Sequence, residues 1–391
     1  MAKVDSSHSA SVSIAEYAAG VAETDVIDPA DLSPIMQGLY GEVGGIMSTA
    51  KKHVREGKAY PGFGRAAEEE FGDTLWYLAA LCRRLNISLN DLLVTAANGK
   101  GFRAEGAASD VGVGALAQVW TPILVAPLDD TLFRLGRAAA ALLGDARPTE
   151  ADMQAFAVCY LEALHASGLS FANIARRNLD KARGAFITPQ IDDLPDFDAK
   201  FLCDEQLPRQ FRIRISQRKS GKSYLQWNGV FIGDPLTDNI ADPDGYRFHD
   251  VFHFAYAAIL HWSPVIRALI KHKRKSVAEY DESQDSGRAI VVEEGLTAWI
   301  FAKAKELNFF EGQDRVSLGI LKTIGEFVQG YEVDACPLKL WERAILEGYS
   351  VFVRFETPRE GGSWAIVRVE RSDMRPSNRW IELAPFRQSR C

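Results

Sequence analysis

Apolar residues recur every three to four positions from about Ile14 to about Leu93, the period that lines one face of successive helices. Breaks fall at Asp28-Pro29, at Tyr60-Pro61-Gly62 and across the Gly-rich stretch Asn98 to Gly114, where proline or glycine makes continuation costly. A second helical block is predicted from about Asp129 to Phe186. The prolines and aspartates of Ile187 to Phe197 then read as a linker. Beyond it the period changes to two. Phe211-Arg212-Ile213-Arg214-Ile215 and Tyr224-Leu225-Gln226-Trp227 alternate around Ser220-Gly221 as a hairpin does, so Gln210 to Gly233 is predicted to be one. Helical spacing resumes from Phe248 to Leu307, and Tyr349 to Phe355 with Trp364 to Val369 suggest a second strand pair connected through Arg359 to Gly362.

The two helical blocks echo each other. Leu75-Trp76-Tyr77-Leu78-Ala79-Ala80-Leu81 followed by Ile87-Ser88-Leu89 matches Val158-Cys159-Tyr160-Leu161-Glu162-Ala163-Leu164 followed by Leu169-Ser170-Phe171, offset by 83 residues at the tyrosines and 82 afterwards. The expected organisation is a Ser-rich, mobile N-terminus (1–12), a helical domain (13–115), a degenerate helical repeat completing its bundle (116–186), a linker (187–209) and an α+β C-terminal domain (210–391). The fold class is mainly α.

Composition narrows the function. With 391 residues, 47% hydrophobic and 25% charged, the chain exceeds one compact core but is ordinary for a globular protein. A net charge of -7 argues against general binding to nucleic acid or anionic membrane, which depends on basic surface. The five cysteines are widely spaced and odd in number, giving neither a metal pattern nor a disulfide framework. The N-terminus lacks the apolar core of a signal peptide, and no uncharged run is long enough to span a bilayer. These features lead us to expect a cytoplasmic protein without a membrane partner.

Glu70-Phe71-Gly72-Asp73 places two carboxylates three residues apart, on one face of a helix, where they can share a divalent cation. The surrounding Glu68-Glu69-Glu70-Phe71-Gly72-Asp73-Thr74-Leu75-Trp76-Tyr77-Leu78-Ala79, with Ile87-Ser88-Leu89 after it and Gly38-Leu39-Tyr40-Gly41-Glu42-Val43-Gly44 and Lys51-Lys52 before it, resembles the signature of the MazG-like nucleotide pyrophosphohydrolases over residues 15–103. That resemblance implies an all-α bundle, Mg²⁺ (with Mn²⁺ as an alternative) and hydrolysis of a (d)NTP to a monophosphate and pyrophosphate. Carried over by position, it makes Glu42, Glu70 and Asp73 metal ligands and adds Glu69 to the catalytic set, orienting water or holding a second ion. Lys52 and Lys100 are then expected on phosphate oxygens, with Trp76 or Asn98 on the base or sugar. The family's first motif is ExxE, whereas the residue three after Glu42 is Gly45, so one carboxylate is missing. In the second copy the positions of Glu70 and Asp73 hold Met153 and Phe156. Because MazG-like helices complete their bundle by dimerising, the resemblance implies a homo-oligomer, with the second copy as a built-in partner.

A second constellation lies in the C-terminal domain. His249-Asp250-Val251-Phe252-His253 sets two histidines at i and i+4, the spacing that lets both imidazoles reach one metal from a single helix. Glu293-Glu294 sits in the apolar stretch Ala289 to Phe301, where acids need a partner or a cation. His249, Asp250, His253 and Glu293 or Glu294 therefore form a second candidate metal site. The helix resembles the zincin HExxH with Asp in place of the Glu, which argues against a protease; a metal-dependent phosphohydrolase acting on a nucleotide or its product fits the N-terminal neighbour better. The basic run Lys271-His272-Lys273-Arg274-Lys275 reads more often as a solvated helix end, with phosphate binding near the site as the second reading. Three functions follow in order: a pyrophosphohydrolase working at the N-terminal carboxylates, a nucleotide-sensing helical domain coupled to C-terminal chemistry, and a non-enzymatic assembly module.

Overall fold

The computed structural model describes residues 12–60, 63–97, 102–105, 115–118, 126–144, 147–190, 194–238, 240–356, 364–370 and 381–385. Most of the predicted mobile N-terminus, Asn98, Lys100 and the connection 359–362 lie outside them. The chain divides into two compact units, Met1–Ile187 and Thr188–Cys391.

The first unit is a helical bundle of α1 (Ile14–Thr24), α2 (Ser33–Glu56), α3 (Phe63–Leu85), α4 (Leu89–Ala97), α5 (Leu128–Ala141), α6 (Glu150–Ala166) and α7 (Phe171–Phe186). Local chemistry sets several starts. Ser13 with Glu16, and Thr149 with Asp152, close reciprocal capping boxes, while the Ser170 hydroxyl accepts from Asn173 N–H at the head of α7. A short antiparallel pair, β1 (Phe102–Glu105) and β2 (Ala115–Gln118), lies where the glycines predicted only a break. In the bundle α2 packs on α3 and α5 on α6, while α7 lies on α3 and α4 on α6. Phe71 and Tyr160 meet edge to face at 5.8 Å, and the Tyr160 hydroxyl donates to the Phe71 carbonyl at 3.0 Å. Met153 and Phe156, the residues that the sequence alignment sets against Glu70 and Asp73, are fully buried.

The second unit is α+β. Strands β3 (Gln210–Gln217), β4 (Ser223–Trp227) and β5 (Val230–Leu236) form an antiparallel meander, which β6 (Trp364–Glu370) and β7 (Ile381–Pro385) extend in the order β5-β4-β3-β6-β7. Gly221, at φ +79°, makes the first turn, and Asn228-Gly229, at +51° and +80°, the second, a left-handed pair that suits a tight hairpin. Phe211, Ile213 and Ile215 point inward from β3. Against the sheet lie α8 (Asp250–Ile259) and α13 (Leu338–Glu356), with α9 (Pro264–Ile270) touching β5; α10 (Ala278–Ser283) leads into α11 (Gly287–Glu306), which packs on α9 and on α12 (Leu318–Val328).

Two expectations are corrected here. Tyr349 to Phe355 is helix, not strand, because Tyr349, Phe352 and Phe355 at three-residue spacing stack on Phe252 and Phe248 of the α8 region, at 4.3 Å for Tyr349 and 5.1 Å for Phe355. β6 accordingly pairs with β3 and β7. Arg274 does not face a phosphate site. It is buried, clamped by Asp285 (2.7 and 3.1 Å) and Glu332 (2.6 and 2.9 Å), in a network where Arg267 holds Asp198. That network also binds residues 194–209 into the second unit: Leu207 N–H donates to Asp198, and Ser276 N–H donates to Glu205 at 2.6 Å.

Candidate metal centre in the C-terminal unit

Every residue of α8 is buried, so its polar side chains must be bonded or must serve a ligand. His249 stands at the N-cap position after the 3-10 turn Tyr246–Phe248, and its Nδ1–H donates to the Tyr246 carbonyl at 2.8 Å while the two rings stack at 4.3 Å. One turn on, His253 Nδ1 meets Glu293 Oε1 at 2.8 Å. With Nδ1 of each ring bonded, Nε2 of each is turned toward Glu294 Oε2, 3.6 Å from His249 and 3.4 Å from His253. His253 Nε2 is buried yet makes no hydrogen bond. A buried imidazole held at Nδ1 by a carboxylate, with its other nitrogen unbonded and a second carboxylate opposite, is the arrangement of a metal-ligating histidine with its outer shell in place.

The adjacent acids thus divide the work. Glu293 is fully buried and bonded on all sides: Ser263 O–H donates to Oε1 at 2.6 Å and Val265 N–H to Oε2 at 2.8 Å, at the start of α9. It orients His253. Glu294, with its side chain 41% exposed, opens the site to solvent. Among the described residues, the three-ligand group whose donor atoms lie within 4.8 Å of one another is His249, His253 and Glu294. Asp250 stands beside it, buried, with Oδ2 unpartnered, but outside the converging set.

The electrostatics agree with this division. Burial works against charge on His253, but Glu293 and Glu294 outweigh it and lift its pKa to about 10. Burial would raise Glu294, but the two imidazoles hold it well below the usual carboxylate range. Asp250 is raised, chiefly by burial. Two imidazoles and one carboxylate suit Zn²⁺, Mn²⁺ or Fe²⁺ better than Mg²⁺, which prefers oxygen.

The N-terminal residues are placed differently. A Cβ on Gly45 would lie 2.1 Å from Glu70 Oε2, so the Glu70 carboxylate rests on α2 one turn beyond Glu42. Asp73 receives Lys181 Nζ at 2.8 and 2.6 Å on its two oxygens and Asn178 Nδ2 at 2.9 Å, while Glu69 receives Lys181 at 2.9 Å. Glu42, Glu70 and Asp73 do not form a three-ligand group among the described residues. The Trp76 indole donates to Thr24 at 3.0 Å, and Lys52 lies over the Tyr60 ring at 5.9 Å. Lys181 and Asn178 were not among the sequence candidates. The signal that could have found them is their three-residue spacing, which sets an amide and an ammonium on one face of α7.

Residues 192–376 match the family model described as the MazG C-terminal domain, a span that includes His249, His253 and Glu294, whereas the N-terminal part matches no family model. No curated protein and no solved structure matches the chain. The similarity to MazG is thus confined to residues 192–376, within a chain that is mostly helical.

Proposed function

We propose that this protein is a divalent-metal-dependent hydrolase of nucleotide phosphoanhydrides, cleaving a (d)NTP to a monophosphate and pyrophosphate, with its chemistry at His249, His253 and Glu294. The observation that carries this reading is the buried, unbonded Nε2 of His253, aimed with His249 at Glu294 and fixed from behind by Glu293. The relation to MazG supplies the substrate class. His249, His253 and Glu294 would hold a divalent ion, which would supply an acidified water and charge neutralisation for the phosphoryl group. In this reading Glu293 holds the His253 ring in register, Asp250, whose buried Oδ2 has no hydrogen bond, serves as the proton acceptor, and the exposed side of Glu294 admits the substrate.

Common (d)NTPs incubated with Mn²⁺, Zn²⁺ or Mg²⁺ should give monophosphate and pyrophosphate. Glu294→Gln should abolish turnover in a folded protein and Glu70→Gln should leave it. The reverse pattern would move the chemistry to the N-terminal unit, and no product from any nucleotide would refute the proposal.

A further inference from the structure

The resemblance of residues 15–103 to the MazG-like signature implies a magnesium ion on the acidic face of α3, and the residues on that face do not fit one. Magnesium demands near-octahedral oxygen ligands at short range. Both oxygens of Asp73 already face the Lys181 ammonium, and one also takes the Asn178 amide. The third ammonium contact goes to Glu69 at 2.9 Å. An ammonium has three hydrogens, and these three carboxylate oxygens use them all.

The approach of α7 that delivers this cation is built into the packing. A Cβ on Gly72 would come within 2.9 Å of Asn178 Cβ, so only glycine lets α7 lie so close to α3. Tyr17, buried on α1, donates to Asn178 Oδ1 at 2.7 Å and thereby turns the amide NH₂ toward Asp73. The missing carboxylate at position 45 belongs to the same arrangement. Glu70 occupies the space a side chain there would need, so the acidic face has closed over the gap.

We propose that the Lys181 ammonium is the resident cation of the N-terminal acidic face, standing where the resemblance implies magnesium, so that this unit takes no divalent ion of its own. The second copy has lost its acids to core, as Met153 and Phe156, and contributes a tethered charge to the first copy instead.

The test is a count of Mn²⁺ bound by the full-length protein, read by electron paramagnetic resonance as the difference made by Asp73→Asn. This difference is independent of whether the C-terminal centre binds. In the wild type it should be zero. In Lys181→Met a new ion should appear and be lost when Asp73→Asn is added. Lys181→Arg, which keeps a cation, should stay closed. A wild-type Mn²⁺ ion that Asp73→Asn removes would overturn the proposal, and so would a folded Lys181→Met protein that gains none. Should Lys181→Met fail to fold, the wild-type comparison decides alone.

Discussion

At position 293 a buried carboxylate with three protein donors does a different job from its exposed neighbour at 294, and the two substitutions should be separable. Glu293→Gln leaves the ligands in place but loosens the His253 ring, so metal affinity should fall by roughly 10–100-fold. It also disturbs a buried hydrogen-bonded group, which should cost about 1–3 kcal/mol in urea unfolding. Glu294→Gln should remove metal binding with little loss of stability, because that side chain is partly solvated. Equal effects of the two on affinity and stability would contradict the division. The pH dependence follows from His253. Its pKa is raised to about 10 by Glu293 and Glu294, so below that pH an incoming metal ion must displace a proton. Affinity should therefore fall steadily as pH falls. Near neutrality, uptake should release about one proton, measurable by calorimetry in buffers of different ionisation enthalpy. The histidine pair was legible in the sequence because i and i+4 share a helix face whatever the fold. Which glutamate joins it was not, since adjacent helical residues point about 100° apart and only the placement of α9 and α11 selects one.

Elements were read well where one period dominated and poorly where tertiary contacts overrode it. The meander appeared as alternation in Phe211 to Ile215, and α2, α3 and α6 as helical repeats. Tyr349 to Phe355 alternates well enough to mimic a strand, yet three aromatics facing α8 make it helix. The approach of α13 to α8 depends on Gly348, where a Cβ would meet Phe252 Cδ1 at 3.2 Å and Ala255 Cβ at 3.3 Å. Gly348→Leu should thus overpack the pair and cost about 1–3 kcal/mol, with Gly348→Ala much milder. The segment at 194–209 looked like a linker because its aspartates and prolines suit solvent. What holds it, the pairing of Asp198 with Arg267 and of Glu205 with Ser276, joins residues up to 71 positions apart and leaves no local pattern. Removing one partner from this buried network, as in Arg274→Met, takes the guanidinium from Glu332 and leaves Asp285 only Arg267 at 3.7 Å as a cation. It should destabilise the unit by roughly 3–5 kcal/mol, read as a lower denaturation midpoint.

For the whole molecule, the two units place opposite demands on cations. The C-terminal unit offers an orphaned imidazole nitrogen in a buried helix, a group whose desolvation an ion would repay. The N-terminal unit has met its acids with an ammonium from its own chain. Ligand that binds only the native state stabilises it by mass action, by about 2.7 kcal/mol at one hundred times Kd, and that stabilisation is confined to structure that opens together with the site. Hydrogen exchange of the full-length protein with and without saturating Mn²⁺ or Zn²⁺ should therefore show slower exchange in α8, the start of α9 and α11, which carry His249, His253, Ser263, Glu293 and Glu294. Amides of α2, α3 and α7 should be unchanged. Added protection in α3 and α7 would mean that the acidic face takes an ion despite Lys181. No protection anywhere would mean that neither unit does, and the proposed chemistry would lose its metal.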